Sequence, residues 1–384
     1  MDSHDVGIVV QRENRLGGFI VVVSHDTLRH SLPVNPDSFM RKYRVLALMS
    51  PRLITEMNRL SVPISVDPYA IDRQTRLRHF KSSCTLLLLL RKYDGLLVFN
   101  AGVDVTLIAF LARVLWRHRV SIFFYDTNLQ APRNIRTRIK CLIKAFLFSG
   151  VDKFLCMQKD TGGYESFYKI PRGKFVYIPF KANNVNILDK FVVTDGPYVL
   201  AAGASRRDYR TFIHAIEILG HPTIIVLPEA SIAQFHNTDM DGRNLPQNVT
   251  VVRHNFEVNS WNTFLANARV VVVPIQQDAI QPAGISVYLE AMALGKPVVI
   301  TDGPSTRDIL TGEEAEIVPA ADPGALAKAI SRLWDNEGYR KLIGGRGREY
   351  ALSLGGERRL LEDILKVMVG FLKARNSGFV ACPT

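Results

Sequence analysis

Two places in this 384-residue chain gather residue types that could hold a phosphate and the hydroxyls attached to it. The first is Gly203-Ala204-Ser205-Arg206-Arg207, a glycine turn with two arginines, lying between an apolar run at 197–202 and a helical pattern from about Thr211. Glycine lets the backbone approach a phosphate closely, and a guanidinium at Arg206 or Arg207 would neutralise charge growing on a departing diphosphate. The second is Gln281-Pro282-Ala283-Gly284-Ile285-Ser286, which opens a helix that stops at Gly295. There a small-residue turn exposes free N–H groups, and the helix dipole and hydrogen bonding both favour an anion. Glu290 follows Ser286 at the i, i+4 spacing, on a face apart from the core stripe Ile285, Leu289 and Met292. It could accept from sugar hydroxyls; read locally, Ser286 and Glu290 serve equally as a first-turn serine and a solvated carboxylate. A third place is Asp126, at the end of the apolar run 120–125. Asp126 could orient or deprotonate a hydroxyl, or simply cap the next turn.

Short Val/Ile/Leu runs closed by turn residues, alternating with helical patterns, must position these groups. Strands are expected at 18–24, 44–48, 94–100, 120–125, 152–157, 174–178, 197–202, 223–227, 247–253, 269–274 and 297–301. Helices are expected near 37–43, at 81–92 with Leu86 to Leu90 buried on several sides, and from Val103. Others fall at 132–147, 211–219, 323–333 and 357–373, and residues 61–80 read as a Pro- and Arg-rich connection. The alternation predicts doubly wound parallel sheets, whose ligands bind outside the carboxyl ends of the strands. All three chemical sites sit at such ends.

The stretch GISVYLEAMALGKPVVIT (284–301) resembles the nucleotide-sugar-binding signature of glycosyltransferase family 4, retaining enzymes of the GT-B fold. That family's helix carries two glutamates with seven residues between them. Glu290 matches the second, which the resemblance sets against the nucleotide ribose; the first position is Pro282, with Gln281 beside it as the available polar contact to the donor sugar. The family's His-Asp at a strand end reads Tyr125-Asp126 here, and where the family has a glycine-rich turn just after its first strand, this chain departs from it with Gly17-Gly18 ahead of the strand. The resemblance implies two Rossmann-like domains facing across a cleft: residues 1–190 for the acceptor and 191–355 for the nucleotide sugar. Residues 356–384 supply a helix crossing back to the first domain. It further implies that Gly203, Arg206 and Arg207 meet the diphosphate, with Gly284, Ile285 and Ser286 at the helix start. His254 lies near the nucleobase, and Asp126, Arg207 and Glu290 form the catalytic set. The implied reaction moves a sugar from a nucleoside-diphosphate sugar to a hydroxyl acceptor (a glycan, a lipid-linked saccharide or a small molecule), with retention and without metal or other cofactor. A GT-B isomerase or phosphorylase, or a nucleotide-sugar-binding protein without turnover, would use the same cradle.

Composition agrees with a globular α/β chain, 47% hydrophobic and 22% charged. The formal charge of +12 is unevenly placed: residues 1–195 carry 29 Lys and Arg against 16 Asp and Glu, and the remainder is close to neutral. A basic half points to nucleic acid, an anionic membrane or acidic substrates. No ribonucleoprotein motif, zinc finger or basic helix-turn-helix pattern occurs, so nucleic acid is not expected. The segment PRNIRTRIKCLIKAFL (132–147) interleaves cations with Ile, Leu and Phe, which suits a helix lying on an anionic membrane surface or one packed on the N-terminal sheet. With no leader pattern and no 18-residue apolar run, the expectation is a cytoplasmic protein, soluble or peripheral on the inner face of the membrane. The four cysteines lack paired spacing, and Asp239-Met240-Asp241 sits in a polar connection, so no disulfide framework and no metal site are expected.

Overall fold

A computed structural model of the chain describes residues 43–116, 119–235, 238 and 244–377. It also describes the backbone of β1 (Arg12–Glu13) and β2 (Phe19–Ile20), which pair antiparallel with each other. The helix expected near 37–43 lies outside the described residues except for Tyr43, which begins a strand instead; Gly17-Gly18 and Asp239-Met240-Asp241 also lie outside them.

From Tyr43 the chain runs β3 (Tyr43–Leu48), α1 (Pro51–Arg59), β4 (Ile64–Pro68), α2 (Arg76–Leu90), β5 (Gly95–Phe99), α3 (Val103–Leu115) and β6 (Ser121–Tyr125). Next come α4 (Ile135–Phe148), β7 (Lys153–Cys156), α5 (Gly162–Tyr168) and β8 (Phe175–Tyr177). After a linker follow β9 (Val199–Ala202), α6 (Tyr209–Leu219), β10 (Thr223–Leu227), α7 (Ala230–Phe235), β11 (Val249–Arg253), α8 (Val258–Ala266) and β12 (Val270–Val273). The chain then continues through α9 (Ile285–Ala293), β13 (Val298–Thr301), β14 (Glu316–Val318), α10 (Pro323–Asp335), α11 (Glu337–Ser353) and α12 (Glu357–Asn376).

Two six-stranded sheets result, ordered β4-β3-β5-β6-β7-β8 and β11-β10-β9-β12-β13-β14, with every neighbouring pair parallel. Such sheets need apolar strands because helices cover both faces, and Val270 to Val273 are wholly buried. In each sheet the winding direction reverses once, between β3 and β5 and between β9 and β12. Those switch points open crevices at the carboxyl ends of the strands.

Two expectations need correction. Residues 61–80 are no simple connection: they contain β4, an edge strand in which a terminal proline is tolerated, and the first turns of α2. The leucine run is not buried on several sides, because Leu86 and Leu90 enter the core while Leu88 is 56% exposed. The helix α12 does return to the first domain: Leu361, Ile364, Leu365 and Met368 complete a core with Tyr43, Val45 and Met57. Arg375 near its end donates from Nη1 to the Arg119 carbonyl and to Ser121 Oγ, each at 2.8 Å.

Candidate functional site

The loops after β9 and β12, the two strands flanking the second switch point, are stitched together. Asp208 N–H donates to Pro274 O at 2.9 Å, Gln276 N–H to Arg206 O at 2.9 Å, and Arg207 bridges to Ile275. This holds the glycine turn at Gly203 beside the start of α9. A Cβ on Gly203 (φ 92°) would stand 2.8 Å from Arg207 Nη2, and one on Gly284 (φ 83°) 3.5 Å from Arg207 Nη1. At Gly203 only glycine lets the backbone come this close to the guanidinium, whereas at Gly284 the left-handed backbone and the clash of such a Cβ with Val273 Cγ1 require it.

Arg207 is 4% exposed. It donates from Nε to Ala202 O at 2.7 Å and from Nη1 to Ser205 O at 2.9 Å, and among the described residues no carboxylate pairs with it. Burial lowers its pKa, so the cation is held at a cost to the fold. Gly284 caps α9 without a side-chain acceptor, leaving the first-turn N–H groups uncapped, and these add their partial positive charge beside the guanidinium. Two positive features packed together out of water form an arrangement that a bound anion would relieve.

The adjacent Arg206 has another task. Its backbone is left-handed (φ 56°), so its side chain leaves in a different direction and forms a buried-side ion pair with Asp278. Asp278 also lies 3.6 Å from Arg133 of the first domain. The Arg206 charge is thus met by Asp278, whereas Arg207 has no carboxylate partner among the described residues. His254 likewise has both ring nitrogens engaged, Nδ1 accepting from Phe256 N–H at 2.7 Å and Nε2 meeting Ser260 Oγ at 2.9 Å. These bonds hold the β11–α8 turn.

Helix α9 departs from the expected single stripe, since every residue from Val287 to Ala293 is buried and Ser286 is exposed. It ends in a Schellman arrangement, with Lys296 N–H donating to Ala291 O at 2.9 Å and Gly295 N–H to Met292 O at 2.7 Å. Glu290 is no solvated carboxylate. It is 6% exposed, with Oε1 accepting from Asn183 Nδ2 and Oε2 from Trp261 Nε1, both at 2.5 Å. Burial raises its pKa, while the bonds from Trp261 and Asn183 and the nearby Lys181 pull it back. Ser286 and Glu290 line a cavity of about 810 Å³ with Lys181 and Asn183 of the linker, Phe256, and Trp261 of α8. None of these four partners carried a motif; three belong to a linker and a turn whose role exists only once the domains are assembled. The Gly203–Arg207–Gly284 cluster lies outside this cavity's lining, at the amino end of the same helix. Ile285 contributes its backbone, its side chain being buried in the core.

The domains meet across the β12–α9 loop. Ile280 packs beside Gly163 in the first domain's core cluster, and Gln158 Nε2 donates to Ile280 O at 3.1 Å. Arg307 pairs with Asp160 at 2.9 Å, and Lys159 Nζ donates to Asp308 O at 2.5 Å. Gln281, where the resemblance sets the sugar contact, is 2% exposed with Oε1 unpartnered. On the first domain's side, Asp126 follows β6 with a left-handed backbone (φ 51°), and among the described residues its carboxylate has no hydrogen-bond or ion-pair partner. Burial pushes its carboxyl up to about 6.

The geometry yields a test of the left-handed cap. Gly284→Ala should destabilise the protein by about 2 kcal/mol or more and lower Tm by about 5 °C, because the added methyl meets Val273 Cγ1 and the left-handed backbone itself costs 1–2 kcal/mol. Gly173→Ala, with open space around its Cβ, should leave Tm within about 1 °C. Equal Tm values for the two variants in thermal denaturation would remove the strained cap.

Comparison with known proteins bears on the same region. Residues 199–336 match the family model described as glycosyl transferases group 1. A capsular polysaccharide biosynthesis glycosyltransferase, CapM of Staphylococcus aureus, is 29% identical over 127 residues, which is 33% of this chain and 32% of CapM. Among solved structures, Anabaena HepE in complex with UDP-glucose superposes with a TM-score of 0.63 at 11% identity, covering 85% of this chain and all of that one. Sucrose-phosphate synthase from Thermosynechococcus elongatus gives 0.60 at 14% identity, covering 87% and 100%. At such identities the structures establish the fold: two doubly wound domains in the GT-B arrangement.

Proposed function

We propose that this chain, whose second domain matches the family model of the group 1 glycosyl transferases, transfers a sugar from a nucleoside-diphosphate sugar to a hydroxyl acceptor. The carrying observation is Arg207, a desolvated guanidinium with no carboxylate, aimed at the uncapped start of α9. A diphosphate answers both charges at once. The 810 Å³ cavity at the other end of the contact takes the nucleoside, with Glu290 accepting from ribose hydroxyls and Trp261 and Phe256 offering apolar walls. The donor sugar then faces Gln281 and the first domain. The names borne by CapM and by the HepE complex make UDP-sugars the first donors to try and a growing polysaccharide a reasonable acceptor.

On this reading the bond from the anomeric carbon to the diphosphate oxygen breaks as the acceptor oxygen approaches from the same face, so configuration is retained. Arg207 and the α9 N–H groups stabilise the charge gathering on the diphosphate, a task that requires no metal ion. Asp126 orients the acceptor hydroxyl across the cleft and accepts its proton. Closure over the Ile280 contact excludes water and suppresses hydrolysis of the donor.

Thermal-shift binding against UDP-, GDP-, ADP- and TDP-sugars tests the proposal. A donor at about a hundred times its Kd should stabilise the protein by about 2.7 kcal/mol, and Glu290→Gln and Arg207→Ala should each abolish the shift. Silence across the panel from a well-folded sample would sink the reading.

A further inference from the structure

Thirteen of the twenty large apolar side chains that stand exposed among the described residues lie on α2, α3 and α4. These helices pack side by side on one face of the first sheet, α3 between the other two, with Phe110 of α3 and Phe146 of α4 at 4.8 Å between ring centroids. Helix α4 is amphipathic the wrong way round for a core helix. Ile135, Ile139, Leu142, Ile143 and Phe146, a stripe at helical spacing, point outward at 50% to 70% exposure. Its core contacts come from Cys141, Leu147 and Phe148. Single exposed apolar residues need no explanation, but a continuous field of them on three adjacent helices marks a surface built to be covered.

Charge identifies the cover. The three helices carry eight lysines and arginines (three on α2, one on α3, four on α4) against one carboxylate, Asp104, which pairs with Arg73; with Arg113 of α3 paired to Asp152, the seven on α2 and α4 remain. We propose that this face seats the protein on an anionic bilayer, the apolar stripes entering the acyl boundary and the cations meeting headgroup phosphates. A second copy is disfavoured, because a two-fold contact would press two cationic faces together. Single-stranded nucleic acid would call for aromatic stacking platforms, whereas this field is mostly Leu, Ile and Val. No helix among the described residues is long and apolar enough to cross a membrane, so the docking is on the surface.

Helices α3 and α4 begin where β5 and β6 end, at the edge that carries Asp126. The docked face therefore runs up to the mouth of the cleft. If the glycosyl-transfer reading holds, the acceptor it favours is one anchored in lipid, whose head group reaches Asp126 while its tail stays in the bilayer. The docking itself does not rest on that reading.

Co-sedimentation with vesicles of phosphatidylcholine, with and without about one third phosphatidylglycerol, tests the docking without any donor or acceptor. The protein should partition onto the anionic vesicles and release at high salt. Ile139→Glu with Ile143→Glu should weaken this at least about tenfold, and Arg136→Gln with Lys140→Gln about thirtyfold, from roughly fivefold per charge. Ile218→Glu, equally exposed on α6 of the second domain, should leave it unchanged. Unchanged Tm and unchanged nucleotide-sugar shifts in all three variants would establish that they fold and would separate this proposal from the previous one. Failure of the folded wild-type protein to bind anionic vesicles, or binding that survives Ile139→Glu with Ile143→Glu, overturns the proposal. So does a solution dimer that the same variant dissociates, which would assign the face to a second copy.

Discussion

Replacing Arg207 by alanine is expected to lower affinity for a nucleoside diphosphate by about 10²–10³-fold while leaving the free nucleoside within about threefold, as read by calorimetric titration. The asymmetry follows from position. Arg207 sits between Gly203 and Gly284 at the amino end of α9, whereas the nucleoside cavity is formed by Glu290, Trp261 and the linker. Two donations to the Ala202 and Ser205 carbonyls are lost, but so are the desolvated charge and its repulsion by the helix start. The unliganded protein should therefore change little in Tm. Arg206→Ala should behave differently, disturbing Asp278 and stability more than diphosphate affinity. Equal losses for nucleoside and nucleoside diphosphate in Arg207→Ala would remove that residue from the diphosphate role.

Asp126→Asn should lower kcat by about 10²–10⁴-fold and at the same time stabilise the protein at neutral pH. The folded protein holds the Asp126 proton more tightly than the unfolded chain, because burial raises the carboxyl to about 6. The favourable balance is complete below about pH 4, the unfolded value, and is lost as pH rises through about 6; above that the carboxylate opposes folding by about 2–3 kcal/mol. Asparagine removes that burden and tolerates the left-handed backbone at φ 51°. Wild-type kcat should rise through about pH 6 as the carboxylate forms, and Asp126→Asn should lose that limb while gaining Tm at pH 7.5 and none at pH 4. A variant that is inactive but no more stable at pH 7.5 would mean that Asp126 is not a desolvated carboxylate in the folded protein.

Much of the fold could be read from the chain because parallel strands covered on both faces must be apolar: β9, β12 and β13 stand where their apolar runs lie. The strand β4 escaped because an edge strand is only half covered and admits Ser65, Asp67 and Pro68, which resemble a loop. Glu290 could be located by its neighbours along the helix, yet its burial depends on Asn183 and Trp261, 107 and 29 residues away. The choice between Arg206 and Arg207 was invisible for a more local reason. A left-handed backbone at Arg206 sends the two side chains to different partners, and nothing in the pair Arg-Arg announces it. On α4 the amphipathic pattern was plain, but a pattern does not say which face turns inward.

The return of α12 has a consequence for the order in which the molecule is made. Its leucines finish a core that begins at Tyr43, so the first domain is left with an open apolar face until residues 357–376 have been synthesised. At about 5–20 residues per second, that face waits roughly 10–40 s while the second domain is made, and the amino-terminal half reaches its final packing only after the carboxyl-terminal half.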